Sequence, residues 1–176
     1  MQRLKDRKLV KNLAAAGTEE QLEPFVAEGF FDAIITPFSL LSAWRDRHLI
    51  RTALERQMGV IVCDPCPEQL APLVEQARAH ARPGFFRRLH PLAGAGSYAF
   101  LASTPGWSAE QICIAYALTE PAVASVQMEA TGRKHLTQLA EATARDLPAA
   151  VSAQIEMARF SIEKRAQEQH ARRLSA

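Results

Sequence analysis

Cys63-Asp-Pro-Cys66 is the segment whose residue types could do chemistry most directly: two thiols three positions apart, followed at once by Pro67. Placed between a strand and a helix, this is redox-motif spacing, since a helix N-terminus lowers a thiol pKa and favours the thiolate that disulfide exchange requires. The alternative is two small residues in a turn at a strand end. Zinc does not fit, because one Cys pair with His80, His90 or Cys113 lacks the second-pair spacing of a structural site, so no metal is expected. Thr131, Gly132, Arg133 and Lys134 open a helical pattern. They offer either free amides and a positive dipole end to an anion or a plain strand-to-helix turn with a solvated basic edge. Arg82-Pro-Gly-Phe-Phe-Arg-Arg-Leu-His90 interleaves aromatics with cations as single-strand nucleic-acid surfaces do. The competing reading is a Phe85/Phe86 anchor beneath a solvated Arg87/Arg88 loop. Tyr98 and Tyr116, the two tyrosines, read as packing residues.

The elements that must position these groups are short apolar runs alternating with longer helical patterns, the order of parallel α/β architecture. Strands are expected at Lys8 to Ala14, Ala33 to Pro37, Val60 to Cys63 and Val123 to Met128. Their central positions, Lys11 apart, are apolar or small without alternation, which predicts strands covered on both faces. Thr18-Glu-Glu-Gln21 and Ser108-Ala-Glu-Gln111 have capping-box spacing and start two helices. Inner helix faces are expected from Leu22, Phe25 and Val26; from Leu49, Ile50, Ala53 and Leu54; from Leu70, Leu73, Val74 and Ala77; and from Ile112, Ala115 and Leu118. Arg82 to Gly106 is a long connection carrying a short helix around Tyr98 to Ala102. A helix near Lys134 to Thr143 precedes a longer one opened by Asp146 and Pro148, whose stripe Leu147, Val151, Ile155, Ala158 and Ile162 faces the domain or a partner. Past Lys164 the polar, basic sequence reads as a solvated or fraying end.

With 176 residues the chain suits one domain and falls short of a complete eight-fold βα barrel, which takes about 250 residues. Hydrophobic residues at 48% and charged residues at 23% describe a folded chain. A net charge of +2 is far from the concentrated positive field of a nucleic-acid binder, so no nucleic acid is expected as partner. No apolar run approaches the ~18 residues of a membrane span, and the basic start from Arg3 to Lys11 is followed by too short an apolar stretch for a signal peptide. Three cysteines without an export signal fit a reducing compartment. The expectation is a soluble, cytoplasmic protein with no membrane partner.

Three segments also carry a family likeness. Phe31-Asp-Ala-Ile-Ile-Thr-Pro-Phe-Ser-Leu-Leu41 is similar to an apolar strand with Gln followed by Pro-Tyr-Asn, and Gly59-Val-Ile-Val-Cys-Asp-Pro-Cys-Pro67 to the next strand and its proline-containing loop. Gly106-Trp-Ser-Ala-Glu-Gln-Ile-Cys-Ile-Ala-Tyr-Ala-Leu118, with Pro121 and Val123-Ala-Ser-Val-Gln127, looks like the following helix and last strand. In order and spacing, from about Leu9 to Ala142, the chain resembles the C-terminal half of an aldo/keto reductase. The resemblance implies a parallel four-stranded half of a (β/α)8 TIM-type barrel over residues 1–145, with an extra C-terminal helix over 146–176.

That resemblance also says what is missing. The family's catalytic Tyr, Lys, Asp and His all lie in its N-terminal half, so no catalytic residue is assigned here. Of its NADP-binding positions, Phe38 matches the aromatic that stacks on nicotinamide. Ser39 stands for the usual Asn, and Ile35 replaces Gln. The phosphate- and adenine-facing positions read Glu129, Ala130, His135 and Gln138-Leu139. A carboxylate where a cation grips phosphate turns attraction into repulsion. The cofactor-binding set to examine is therefore Phe38, Ser39, Thr131, Gly132, Lys134 and His135, with NADP as the cofactor the resemblance implies and none expected in isolation. A half-barrel leaves strand edges unpaired and an interior without its opposing wall. Three expectations follow: a degenerate or regulatory subunit acting by association, as a homo-oligomer or with a second half-barrel chain; the nicotinamide-facing half of an NADP-linked carbonyl reductase completed by another chain; or a thiol-redox protein using Cys63 and Cys66.

Overall fold

The computed structural model describes the backbone of residues 2–81 and 98–174, and side chains over 3–75 and 98–161. Four strands alternate with helices: β1 (Ala14–Ala16), β2 (Ala33–Pro37), β3 (Gly59–Cys63) and β4 (Ser125–Val126). They form one parallel sheet in the order β1-β2-β3-β4, each strand beside the next in sequence. Among the described residues there are eight helices: α1 (Gln2–Asp6), α2 (Glu19–Glu28), α3 (Trp44–Glu55), α4 (Leu70–Ala81), α5 (Phe100–Ser103), α6 (Ala109–Leu118), α7 (Arg133–Thr143) and α8 (Ala149–Leu174).

The register lays the strands out in two rows. Ala15, Ile34 and Val60 align, as do Thr36, Val62 and Val126; Ile34, Val60 and Val62 are wholly buried with Leu22 and Val26 of α2 and Leu49, Ile50 and Ala53 of α3. The alternate row, Ala33 beside Gly59 and Ile35 beside Ile61, is only half-buried. This corrects the expectation of strands covered on both faces: the α2 and α3 side chains of the core lie against one row, leaving the other partly wet. Uninterrupted apolar sequence did not distinguish the rows, because Ile occurs in both.

The capping signals act as expected. At α6 the Gln111 N–H donates to Ser108 Oγ at 3.1 Å and the Ser108 N–H to Gln111 Oε1 at 3.0 Å. At α2 the Thr18 N–H donates to Gln21 Oε1 at 2.9 Å, and the helix stops at Gly29, whose N–H closes the last turn on the Phe25 carbonyl and whose left-handed φ of 67° turns the chain away. α3 begins without a hydroxyl cap; Asp46 turns back to accept the Ala43 N–H at 2.7 Å.

Several boundaries differ from the sequence reading. The first strand is Ala14–Ala16 rather than Lys8 to Ala14, because Lys8 takes a left-handed turn at φ 56° after α1. The last is Ser125–Val126, shorter than Val123 to Met128. Phe25 and Leu54 lie outside their expected inner faces, 42% and 49% exposed, while Leu73 and Leu118 are half-buried. The helix around Tyr98 to Ala102 is α5. Val151, Ile155 and Ala158 of α8 are buried in the main core, and the α8 backbone stays helical past Lys164 to Leu174 instead of fraying there. The Arg82 to His90 loop lies outside the described residues, as do the side chains of Ala77, His80 and Ile162. No helix among the described residues is long and apolar enough to cross a membrane.

Candidate functional site

Three groups converge where the strands hand over to their loops. The first is built around Phe38, directly after β2. Its ring is 1% exposed and stacks on Tyr116 of α6, centroids 6.1 Å apart with an 11° interplanar angle. The Arg47 guanidinium of α3 lies 5.5 Å from the Phe38 ring and 5.6 Å from the Tyr116 ring, and donates to the Tyr116 hydroxyl. Phe38 thus belongs to the helix layer, joined by stacking and cation–π attraction. Ser39 is buried as well: its Oγ accepts the Leu41 N–H at 3.1 Å and its N–H donates to Ser42 Oγ at 3.0 Å. Tyr98 packs beside this group, donating to the Leu40 carbonyl at 3.3 Å, and burial pushes its pKa up to about 12. Burial likewise raises the Tyr116 hydroxyl. Both tyrosines pack within the main core, as the sequence reading has them.

The second group sits at the start of α7. His135 reaches back so that its Nδ1 accepts the Thr131 N–H at 3.2 Å, while its Nε2 lies 3.0 Å from Glu110 Oε2 of α6. Accepting at Nδ1 leaves Nε2 to carry the proton toward the carboxylate. Gly132 and Lys134 are exposed, as is Glu129 just before them. The turn that could have cradled an anion is therefore stapled to α6 through His135, with one of its amides already taken and a carboxylate at its back. α6 and α7 are also joined by Gln111, whose Nε2 donates to the Gln138 carbonyl at 2.9 Å.

These two groups decide whether the residues present fit NADP. They do not: the stacking face of Phe38 is covered by Tyr116, Ser39 serves its own turn, and the His135 ring is committed to Thr131 and Glu110. Arg133 and Lys134 are exposed at the start of α7.

The third group holds the thiols, all three of them free. Cys63 ends β3 on the half-buried row, where desolvation raises its pKa and the nearby Asp64 charge adds to the rise. Asp64 adopts a left-handed φ of 48° and starts the turn that carries the chain through Pro65 to Cys66. Cys66 is half-buried and packs against the core cluster that contains Cys113 of α6, a residue with no exposed surface. Interaction with Cys113 lowers the Cys66 pKa, against opposing pressure from burial and from the Glu110 and Asp64 charges, while Cys66 and burial together raise the Cys113 pKa well above the usual thiol range. Cys113 was weighed from sequence only as a zinc ligand, since a helical core position far along the chain gives no spacing signal linking it to Cys66. Among the described residues no group of three or more His, Cys, Asp or Glu side chains is arranged to hold a metal.

No protein-family model matches the chain, and no curated protein is significantly similar to it. The functional reading therefore rests on the geometry itself.

Proposed function

We propose that this chain is an aldo/keto reductase-like half-barrel that acts through association, as a degenerate or regulatory subunit, and does not reduce carbonyls by itself. The observation that carries the reading is the sheet: four parallel strands in sequential order, helices over one row, and a small and apolar row, Ala33, Ile35, Gly59 and Ile61, left half-wet on the other. In a closed eight-stranded barrel such a row fills the interior against strands from the opposite side. Two copies of this chain supply eight strands. β1 and β4, which end the described sheet, are the edges along which they would join. A cytoplasmic, reducing setting suits its three free thiols.

The alternative of a nicotinamide-facing half finds no support in the placement of Phe38 or His135. Sedimentation velocity on the isolated chain, paired with NADPH titration followed by intrinsic fluorescence, tests both readings. The expected result is a concentration-dependent dimer, converted to monomer by Ile35→Asp with unchanged far-ultraviolet circular dichroism, and no saturable response to NADPH. A monomer at every concentration removes self-association as the way the sheet is completed, and tight NADPH binding or unaided aldehyde reduction removes the degenerate reading.

A further inference from the structure

The helix layer has two ends, α2 beside β1 and α7 beside β4, and each carries a large apolar side chain on its outer flank. Glu19, Glu23 and Ala27 of α2 line the groove it shares with α3. At about 100° per residue the opposite flank carries Phe25, 42% exposed, with Gln21 and Glu28 one turn to either side. α7 is tied to α6 through His135 and Gln138 and buries Leu139 and Ala142. Its other flank therefore carries Leu136, 58% exposed, with Ala140 and Thr143 following at helical spacing.

The two ends are also opposite in charge. α2 holds Glu19, Glu20, Glu23 and Glu28 and no cation, whereas α7 opens on Arg133 and Lys134 with no acid in its first turn. Among the described residues none of these charges is in an ion pair, and Glu129, just before α7, pairs with neither cation. Acids suit the positive end of the α2 dipole; cations at that end of α7 are disfavoured and need an acidic neighbour. Within one chain α2 cannot supply it, because the two helices flank opposite edges of the sheet.

We propose that the outer flank of α2 binds the outer flank of α7 on a second copy of this chain, forming the seam of the two-chain assembly; this rests on the association reading above. Joining β1 of one copy to β4 of the other sets these helices side by side, since each helix of a parallel βα layer packs between those of the adjoining units. Both helices run from where the strands end to where they begin, so their first turns lie at one level. Glu19, Glu20 and Glu23 then flank Arg133 and Lys134, and Phe25 and Leu136 close the seam beneath them. A two-fold pair contains this seam twice, α2 to α7 and α7 to α2.

The test combines sedimentation velocity with zero-length carbodiimide coupling of the unsubstituted chain. The expected dimer yields a covalent product joining Lys134 to Glu19, Glu20 or Glu23, which only two chains can form. Phe25→Lys and Leu136→Glu, each at an exposed position, should each weaken the dimer at least about tenfold with unchanged circular dichroism. Mixing these two variants should restore a heterodimer, because one of its seams is then wild type and the other sets Lys against Glu. A wild-type dimer without the Lys134 coupling, a dimer that both substitutions leave intact, or folded variants that stay monomeric when mixed overturns the seam and leaves self-association standing. A wild-type monomer at every concentration overturns both.

Discussion

β2 and β3 present two faces built from nearly the same residues, and their fates differ. Ile34, Val60 and Val62 are wholly buried under α2 and α3, whereas Ile35 and Ile61, one position along, remain half-wet. The difference arises because the helices of consecutive βα units cover one side of a parallel sheet, and the other side needs something else to cover it. One face is closed into the core and the other stays partly exposed.

The sharpest way to break this comparison is a matched pair of truncations. Ile34→Ala should cost about 2–5 kcal/mol of unfolding free energy, because it opens a cavity in a closed core. Ile35→Ala should cost roughly 1 kcal/mol in the isolated chain, where the side chain is already partly solvated. Urea unfolding at low protein concentration measures both, and equal losses would show that the two faces are equally covered. A smaller effect tests how the helix layer is held together. Gln111→Ala removes the acceptor for the Ser108 N–H and the donor to the Gln138 carbonyl, so a loss of about 1–2 kcal/mol is expected, with hydrogen exchange quickening in α7 before it does in β3.

The smallest effect concerns the edge beside β1. The Asp32 carboxylate accepts Lys5 Nζ through both oxygens at 2.8 Å and the Leu13 N–H at 2.7 Å, and these bonds, the Lys5 one first, hold its pKa below the usual carboxylate value. A folded-state pKa depressed in this way contributes stability that is present above the unfolded pKa and is lost as pH falls through the folded one. Asp32→Asn should therefore lower the unfolding midpoint at neutral pH and converge with wild type in acid. A difference that persists undiminished at the acid end would assign the effect to shape and not to charge.

Much of the framework was legible in the sequence, for identifiable reasons. Ala33 to Pro37 matched β2, the capping spacings at Thr18 and Ser108 located α2 and α6, and Asp146 with Pro148 preceded α8. These are local signals, written in neighbouring residues. The first strand was misplaced because its position is set by pairing: the Leu13 carbonyl accepts from Asp32 and Ala33, and Lys8 to Leu13 merely leads in. At the site the same division holds. Cys66 stood out by its spacing from Cys63, but the core it packs against includes residues of distant helices, Cys113 of α6 among them. Phe38 drew notice as a surface for a cofactor, and only the fold reveals the Tyr116 ring lying over it.

The consecutive strand order also bears on how the polypeptide is born. A ribosome releases Ala14–Ala16, Ala33–Pro37 and Gly59–Cys63 in the sequence in which they dock, so each can seat on its predecessor during translation. The final addition is delayed, since Ile61 waits for Ser125 to emerge. During that interval the outer border of Gly59–Cys63 is bare, which makes the nascent chain most vulnerable to mispairing at the stage when three strands are seated and the fourth is still being made.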